Sequence, residues 1–167
     1  TGALVAHELC EAGIRSIMVD MRSIAGGSTV ASTAQLQYEI DVPLYKLAKD
    51  IGNKKAVSTY HASLKSIKHL ETVFEKTRID AEFLRVPTLL LASNRMGLRE
   101  LKEEYQIRKE NKLPVDFLES NDLQNKYQID RLGALWNNTS AQIDCYKAAI
   151  GLIQHHQKKH GLNVYPY

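Results

Sequence analysis

The first 20 residues constrain the fold of this chain more than any other stretch, because they predict a helix, a tight stop and a strand that ends on a carboxylate. Apolar side chains recur at helical spacing over residues 3–9 and give the predicted helix one apolar face. Gly13 follows at the position where a helix end needs a left-handed backbone. The apolar run 14–19 is dense enough for a strand covered on both faces, and it closes on Asp20.

This order matches the second half of a dinucleotide-binding β–α–β unit. In that unit a glycine-rich turn brings backbone amides to a pyrophosphate at a helix N-terminus, and an acidic residue about 20 positions on binds the ribose. Gly2 fits the last glycine of the fingerprint, which permits close helix–strand packing, and Asp20 fits the acidic residue. The first strand of the unit is missing, so we expect a fragment of a longer protein. Residues 1–20 alone are equally compatible with an ordinary amphipathic helix and a strand with a solvated end.

A second signal is the loop after Asp20, which is rich in small and hydroxyl-bearing residues. It contains Gly26-Gly27-Ser28-Thr29 and then Ser32-Thr33-Ala34. Small residues let backbone amides reach an anion, and hydroxyls donate to phosphate oxygens, although a flexible connector has the same composition. Taken together, residues 1–41 resemble the N-terminal region of the FAD-dependent oxidoreductase (DAO) family. That family includes D-amino acid oxidase, glycine oxidase, sarcosine oxidase and glycerol-3-phosphate dehydrogenase.

The resemblance implies that FAD is the cofactor and indicates which residues bind it. In the family this loop runs past the flavin pyrophosphate toward the ring. The residues expected to contact the cofactor are Gly2, Asp20, Arg22, Gly27, Ser28, Thr29, Ser32 and Thr33. Arg22 is equally compatible with a solvated side chain, and the loop hydroxyls with a turn held by side-chain-to-backbone hydrogen bonds.

The predicted fold class is α/β, with an incomplete Rossmann-type FAD/NAD(P)-binding domain that lacks its first strand, plus part of a mixed α/β substrate domain. By resemblance, residues 1–50 form the partial FAD-binding domain. Residues 51–138 contain connecting helices and part of the substrate domain. Residues 139–167 form a helix and a strand that return to the FAD-binding domain.

The remaining pattern predicts further helices and strands. Helices are expected over 41–52, 55–77, 97–109, 121–127 and from Asp144 to about 159. Asp41 is expected to cap the first of them, which Gly52 ends, and Ser120 to cap the helix over 121–127. The side chains expected to face inward on the last helix are Tyr146, Ala149, Ile150 and Ile153. Extended segments are expected over 81–92, where Pro87 implies an edge or a bulge, and over 115–118, 132–142 and 162–165.

Composition excludes several classes of protein. Hydrophobic content of 44% with 25% charged residues is typical of a soluble globular chain, and a net charge of +3 without a basic stripe does not indicate nucleic-acid binding. No apolar run approaches the roughly 20 residues that span a bilayer, so a membrane protein is not expected. The two cysteines, Cys10 and Cys145, form no disulfide framework, which favours a cytoplasmic location.

The histidines form the one pattern that suggests a metal. His156 and His160 have the i, i+4 spacing of two ligands on one helix face. Because no third ligand is evident in the sequence, we expect no metal and a solvated helix end whose cations favour the helix dipole. No motif marks a nucleophilic serine or cysteine, so no catalytic residue is assigned.

These observations predict an FAD-dependent oxidoreductase that oxidises a C–H next to an amine or hydroxyl by hydride transfer to the flavin. Its substrate would be a small amine, amino acid or hydroxy acid. We expect residues 1–167 alone to be inactive and to bind FAD weakly or not at all. The alternatives are an NAD(P)-dependent dehydrogenase and a non-catalytic dinucleotide-binding or scaffold module.

Overall fold

A computed structural model describes residues 1–93 and 96–166 of the chain. The α-helices are α1 Gly2–Glu11, α2 Leu44–Ile51, α3 Asn53–Thr77, α4 Leu98–Glu110, α5 Ser120–Tyr127 and α6 Cys145–His160, and Ser28–Ala31 forms a 3-10 helix. The strands are β1 Ile17–Asp20, β2 Gln35–Leu36, β3 Leu84–Arg85, β4 Thr88–Leu91, β5 Asp116–Glu119, β6 Gly133–Asn137, β7 Ala141–Gln142 and β8 Asn163–Pro166. The two-residue strands pair in the order β2–β7–β3. Among the residues described, no helix combines the length and the apolar character needed to cross a membrane.

The first compact unit consists of Thr1–Gln35, His69–Leu84 and Gln142–Tyr167. Its strands β1 and β8 run parallel, with Ile17 opposite Asn163 and Asp20 opposite Pro166. The helices α1 and α6 pack against each other. Apolar side chains from α1, β1 and the start of β8 fill the space between helix and sheet: Ala6, Cys10, Met18, Leu162 and Val164.

The second compact unit consists of Leu36–Lys68 and Arg85–Ala141. Its sheet is antiparallel in the order β4–β6–β5, and Leu135 of β6 lies between Leu90 and Phe117 of its neighbours. Helices α2 and α4 contact each other, and α4 contacts β6. The core of this unit is a buried cluster of Tyr45, Ala92, Met96, Leu101, Val115 and Leu135.

Most of the predicted helices and strands are confirmed, and the predicted helix ends lie at the expected glycines. Gly13, Gly52 and Gly161 have φ of 73°, 86° and 66°, which is the left-handed backbone expected at these helix ends. The predicted helix after Asp144 is present, and Asp144 caps it, because its Oδ1 accepts a hydrogen bond from the backbone N of Lys147 at 2.9 Å.

Five local predictions are wrong, and three of them depended on packing that short-range pattern does not specify. Strand β1 is covered on one face only, since Ile17 and Val19 are 68% and 72% exposed. On α6, Tyr146 is exposed, and His156, predicted to be solvated, is fully buried. Asp41 does not cap α2, whose N-cap position is Pro43. Ser120 does not cap α5 either, because it is the first helical residue and Glu119 takes the N-cap position.

The two compact units divide the chain differently from the predicted domain ranges. Residues 36–50, assigned from sequence to the FAD-binding domain, lie in the second unit, and residues 69–84, assigned to the substrate domain, lie in the first. Helix α3 runs from one unit into the other. The assignment of a cofactor and a substrate to each unit stays a prediction.

The start of α2 is held by a buried carboxylate from α4. Glu104 is fully buried, and its two oxygens accept hydrogen bonds from the backbone N of Leu44 at 3.0 Å and of Tyr45 at 2.9 Å. Arg108, 1% exposed, donates from Nε to the same carboxylate at 2.7 Å and from Nη1 to Glu39 at 2.9 Å. Glu104 therefore satisfies the free amides of one helix and the buried cation of another.

We predict that Glu104→Gln destabilises the protein by about 3–5 kcal/mol, because it leaves Arg108 short of a charge partner and turns an amide NH₂ toward a donor. Glu103→Gln is the matched control: Glu103 pairs with Lys49 on the exposed surface at 2.8 Å, and losing it should cost less than about 1 kcal/mol. Urea unfolding followed by circular dichroism measures both. Equal midpoints for the two variants would contradict the assignment.

Candidate functional site

The N-terminus of α1 offers free backbone donors. The first helical hydrogen bonds run from Leu4 N and Val5 N to the carbonyl of Thr1, both at 3.1 Å, so the amides of Gly2 and Ala3 precede them. No acidic side chain lies in the first turn. The positive end of the helix dipole is therefore not neutralised by an acid in its own first turn, and it can accept an anion.

Gly2 places this helix end beside the carboxyl end of β1. A Cβ at Gly2 would lie 3.9 Å from Cε of Met18, which is an ordinary contact, so the predicted need for close packing does not by itself require a glycine there. Met18 precedes Asp20 by two residues, or about 7 Å along the strand. Because α1 contacts Met18 and β1 then runs on to Asp20, we expect the free amides and the Asp20 carboxylate near the same edge of the parallel pair, the edge at which open α/β sheets bind ligands.

Asp20 is partly exposed and takes part in a local turn. Its Oδ1 accepts a hydrogen bond from the backbone N of Arg22 at 2.9 Å. It is thus the backbone of Arg22 that contacts Asp20, and the Arg22 residue is exposed. This bond orients the carboxylate and leaves acceptor capacity on it for a further donor.

The loop after Asp20 begins with a tight turn. The backbone N of Gly26 donates to the carbonyl of Ser23 at 2.9 Å, and a Cβ at Gly26 would approach that carbonyl to 3.0 Å and Ser23 Oγ to 2.3 Å. Gly27 differs, because a Cβ there would have no atom within 4 Å. Gly27 precedes the 3-10 helix, and the space beside it is open.

Of the hydroxyl-bearing residues predicted to contact the cofactor, one makes a hydrogen bond within the loop and the others are described by their position and exposure. Ser32 Oγ accepts a hydrogen bond from the backbone N of Ala34 at 3.1 Å, so this side chain stabilises the loop in the way that the structural alternative predicted. Ser28 and Thr29 lie in the 3-10 helix, and Ser28 and Thr33 are exposed. The loop ends where the Ala34 carbonyl accepts from Ile143 N at 3.2 Å.

A groove of about 390 Å³ lies between this loop and the start of α6. Its polar lining combines Thr29 and Ser32 of the loop with Glu82, Asp144 and Tyr146. The last three residues were not predicted from the sequence, because they follow the end of the loop by 48 or more positions and belong to no motif. The contact of the 3-10 helix with α6 brings Asp144 and Tyr146 beside the loop, and Glu82 joins them through its ion pair with Lys147 of α6.

Comparison with known proteins gives a consistent result. The model of the family described as DAO, FAD-dependent oxidoreductase, matches residues 1–166. The protein YhfW of Bacillus subtilis, provisionally named a Rieske 2Fe-2S iron–sulfur protein, is 22% identical over 106 residues, which are 64% of this chain and 21% of YhfW. At these lengths the chain spans about a fifth of its curated relative.

Two solved structures share the fold at low sequence identity. L-proline dehydrogenase from P. horikoshii superposes with a TM-score of 0.72 at 16% identity, over 99% of this chain and 41% of that protein. L-α-glycerophosphate oxidase from Mycoplasma pneumoniae, solved with FAD bound, superposes with a TM-score of 0.69 at 16% identity, over 99% and 42%. The predicted α/β fold class and the predicted resemblance are confirmed.

We predict that Gly27→Ala, in the full-length protein, changes the free energy of unfolding by less than about 1 kcal/mol but weakens FAD binding several-fold. The added methyl meets no protein atom, so it occupies the open side on which the cofactor is expected. Titration of apoprotein with FAD, followed by flavin fluorescence, measures the affinity. Gly26→Ala is the comparison, because its methyl disturbs the turn itself. Unchanged FAD affinity in Gly27→Ala would remove Gly27 from the site.

Proposed function

Because the chain belongs to the DAO family of FAD-dependent oxidoreductases, we propose that the full-length protein oxidises a C–H next to an amine or hydroxyl by hydride transfer to FAD. The observation that supports this proposal is the free N-terminus of α1, which contacts Met18 of β1, two residues before the Asp20 carboxylate. The match of the family model to residues 1–166 and the hydrogen-bonding groups near this edge both support flavin-dependent oxidation.

The donor set fits the parts of FAD. A pyrophosphate is an anion that needs neutral N–H and O–H donors, and the amides of Gly2 and Ala3 and the hydroxyls of Ser28 and Thr33 are of that kind. A ribose diol needs an acceptor, and Asp20 is the carboxylate at that edge. No acidic residue lies in the first turn of α1 to repel the phosphates.

In this proposal the chain binds and orients the cofactor, and it supplies no reacting group of its own. FAD provides the hydride acceptor when it is bound. Asp20 fixes the adenosine end, the α1 N-terminus and the loop hold the pyrophosphate, and Gly27 leaves room for the cofactor. The groove beside Thr29 and Ser32 adjoins this loop, so we assign it to the same binding region.

The proposed substrate is a small amine, amino acid or hydroxy acid. Of the two structures compared, one is a dehydrogenase of an amino acid and the other an oxidase of a phosphorylated alcohol. Both oxidise a carbon that bears nitrogen or oxygen. No residue of this chain is proposed as catalytic, because none described has a nucleophile–base arrangement supported by both motif and geometry.

We also propose a cytoplasmic location. Cys10 and Cys145 are both free thiols, with Cys10 buried. Free thiols persist where the compartment is reducing.

The experiment that tests the proposed function is a visible absorption spectrum of the full-length protein, purified without added cofactor. We expect flavin bands that bleach under anaerobic conditions when a panel of amines, amino acids and hydroxy acids is added. A nicotinamide spectrum would establish the dehydrogenase alternative. A colourless protein that takes up neither cofactor would establish the scaffold alternative.

We predict that Asp20→Ala weakens FAD binding about 10- to 100-fold, since it removes the acceptor for two ribose hydroxyls. Asp41→Ala is the control, because Asp41 is an exposed carboxylate that we place outside the site, and its loss should leave FAD affinity within about twofold. Flavin fluorescence titration of both apoproteins provides the measurement. An Asp20→Ala variant with the affinity of the control would contradict the assigned role.

A further inference from the structure

Two buried histidines meet where α1 packs against α6. His7 Nδ1 and His156 Nε2 are 2.8 Å apart, and their ring centroids are 5.0 Å apart. His7 is 8% exposed and His156 is fully buried. The two residues are 149 positions apart in sequence. Their proximity is therefore a product of the fold and not of a local motif.

The two buried imidazoles do not satisfy all of their ring nitrogens by hydrogen bonding. Two neutral imidazoles share a single N–H···N bond, in which one ring donates and the other accepts. In addition, His156 Nδ1 is buried without a hydrogen-bond partner among the residues that the structure describes.

A carboxylate and a third imidazole adjoin the pair. Glu11 lies one turn beyond His7 on α1, and ligand atoms of His7, Glu11 and His156 all lie within 4.8 Å of one another. Glu11 Oε1 is also 3.3 Å from His160 Nε2, one turn beyond His156 on α6. Each helix thus contributes two residues at i, i+4 spacing, which lie on the same helix face.

From this arrangement we propose a structural zinc site that links α1 to α6, with His7, Glu11, His156 and His160 as ligands. Three imidazoles and one carboxylate form a donor set that Zn²⁺ accepts in tetrahedral geometry. The sequence showed only the pair on α6, and the additional ligands come from α1.

The geometry needs only small movements. Nitrogens on a tetrahedral zinc lie about 3.3 Å apart, because Zn–N bonds are about 2.0–2.1 Å, so the His7–His156 separation must open by about half an ångström. Glu11 is exposed and can turn toward the metal. At present its Oε1 accepts from Lys159 Nζ at 3.1 Å, and zinc binding would replace that exposed ion pair.

The surroundings shift the pKa values of three residues in this cluster. Burial lowers the pKa of His156 to about 4, with smaller contributions from neighbouring histidines, and burial also lowers the pKa of His7. The hydrogen bond from Lys159 lowers the pKa of Glu11.

The site lies away from the proposed cofactor. His7 and Glu11 are about 8 Å and about 13 Å along α1 from Gly2, whose end of the helix faces the pyrophosphate. A metal at this place would not touch the flavin. Its effect would be to fix the packing of two helices, so binding can be tested without an activity assay.

The test is zinc binding by the full-length protein, measured by equilibrium dialysis with elemental analysis and by competition with a chromophoric chelator. The variants are Glu11→Gln, which changes an exposed side chain, and His156→Gln, which keeps a polar atom near the Nε2 position. Glu8→Gln is the matched control on the same helix, since Glu8 pairs with His69 at 2.9 Å and is not part of the ligand set. Circular dichroism checks the fold of each variant.

We expect zinc to bind the unchanged protein with micromolar affinity or better. Compared with Glu8→Gln, the variants Glu11→Gln and His156→Gln should bind one fewer zinc per chain, or bind zinc at least about tenfold more weakly. If His156→Gln fails to fold, Glu11→Gln and His160→Asn decide the question, because both change residues outside the core. Zinc content and affinity that are the same in Glu11→Gln as in the control would overturn the proposal. Absence of saturable zinc binding would overturn it as well.

Discussion

The packing of α1 against α6 is the contact on which the first unit depends. A sheet of two strands is marginal by itself, and here β1 pairs only with β8 among the residues described. Ala6 and Cys10 of α1 bury their side chains against Met18 of β1 and Leu162. The same helix begins at the edge where a dinucleotide is expected and carries His7 into the interface with α6. The expected cofactor edge and the histidine pair thus both depend on the packing of one helix.

Helix α6 packs closely against Ile79, and the absence of a side chain at Gly151 makes this contact possible. A Cβ at Gly151 would come within 2.4 Å of Ile79 Cγ2, so a larger residue would push the helix outward. Ala148 and Leu152 of α6 pack beside this point with Val73, Phe74 and Ala81. The groove beside the loop depends on the same placement, because its walls are the first residues of α6. Tight packing thus holds the loop and the helix in one arrangement.

In the second unit a buried ion pair has the corresponding role. Glu104 joins the first amides of α2 to Arg108 of α4, and Arg108 continues the network to Glu39. Asn137 of β6 donates to Glu39 at 2.7 Å, which extends the network to the sheet. Burying these groups is favourable only when each has its partners, so the network specifies one packing of α2, α4 and β6.

The sequence by itself determined the features that depend on a few neighbouring residues. Gly13, Gly52 and Gly161 stopped helices because only a left-handed backbone ends them there, and Asp144 capped α6 because its carboxylate reaches an amide three residues on. The order of helix, strand and acidic end, with the loop after it, was enough to indicate the family. These signals act over a few positions, so a linear pattern records them.

Only the tertiary structure decided which polar residues are buried and what they meet. Helical spacing placed Tyr146 inward and His156 in solvent, and packing reversed both. Glu104 reaches the amides of α2 from 60 positions away, and His7 meets His156 across 149. Periodicity gives the apolar face of a helix but not its partner, since the partner is fixed by the packing of whole elements. Contacts between distant polar residues therefore have no signature in the sequence alone.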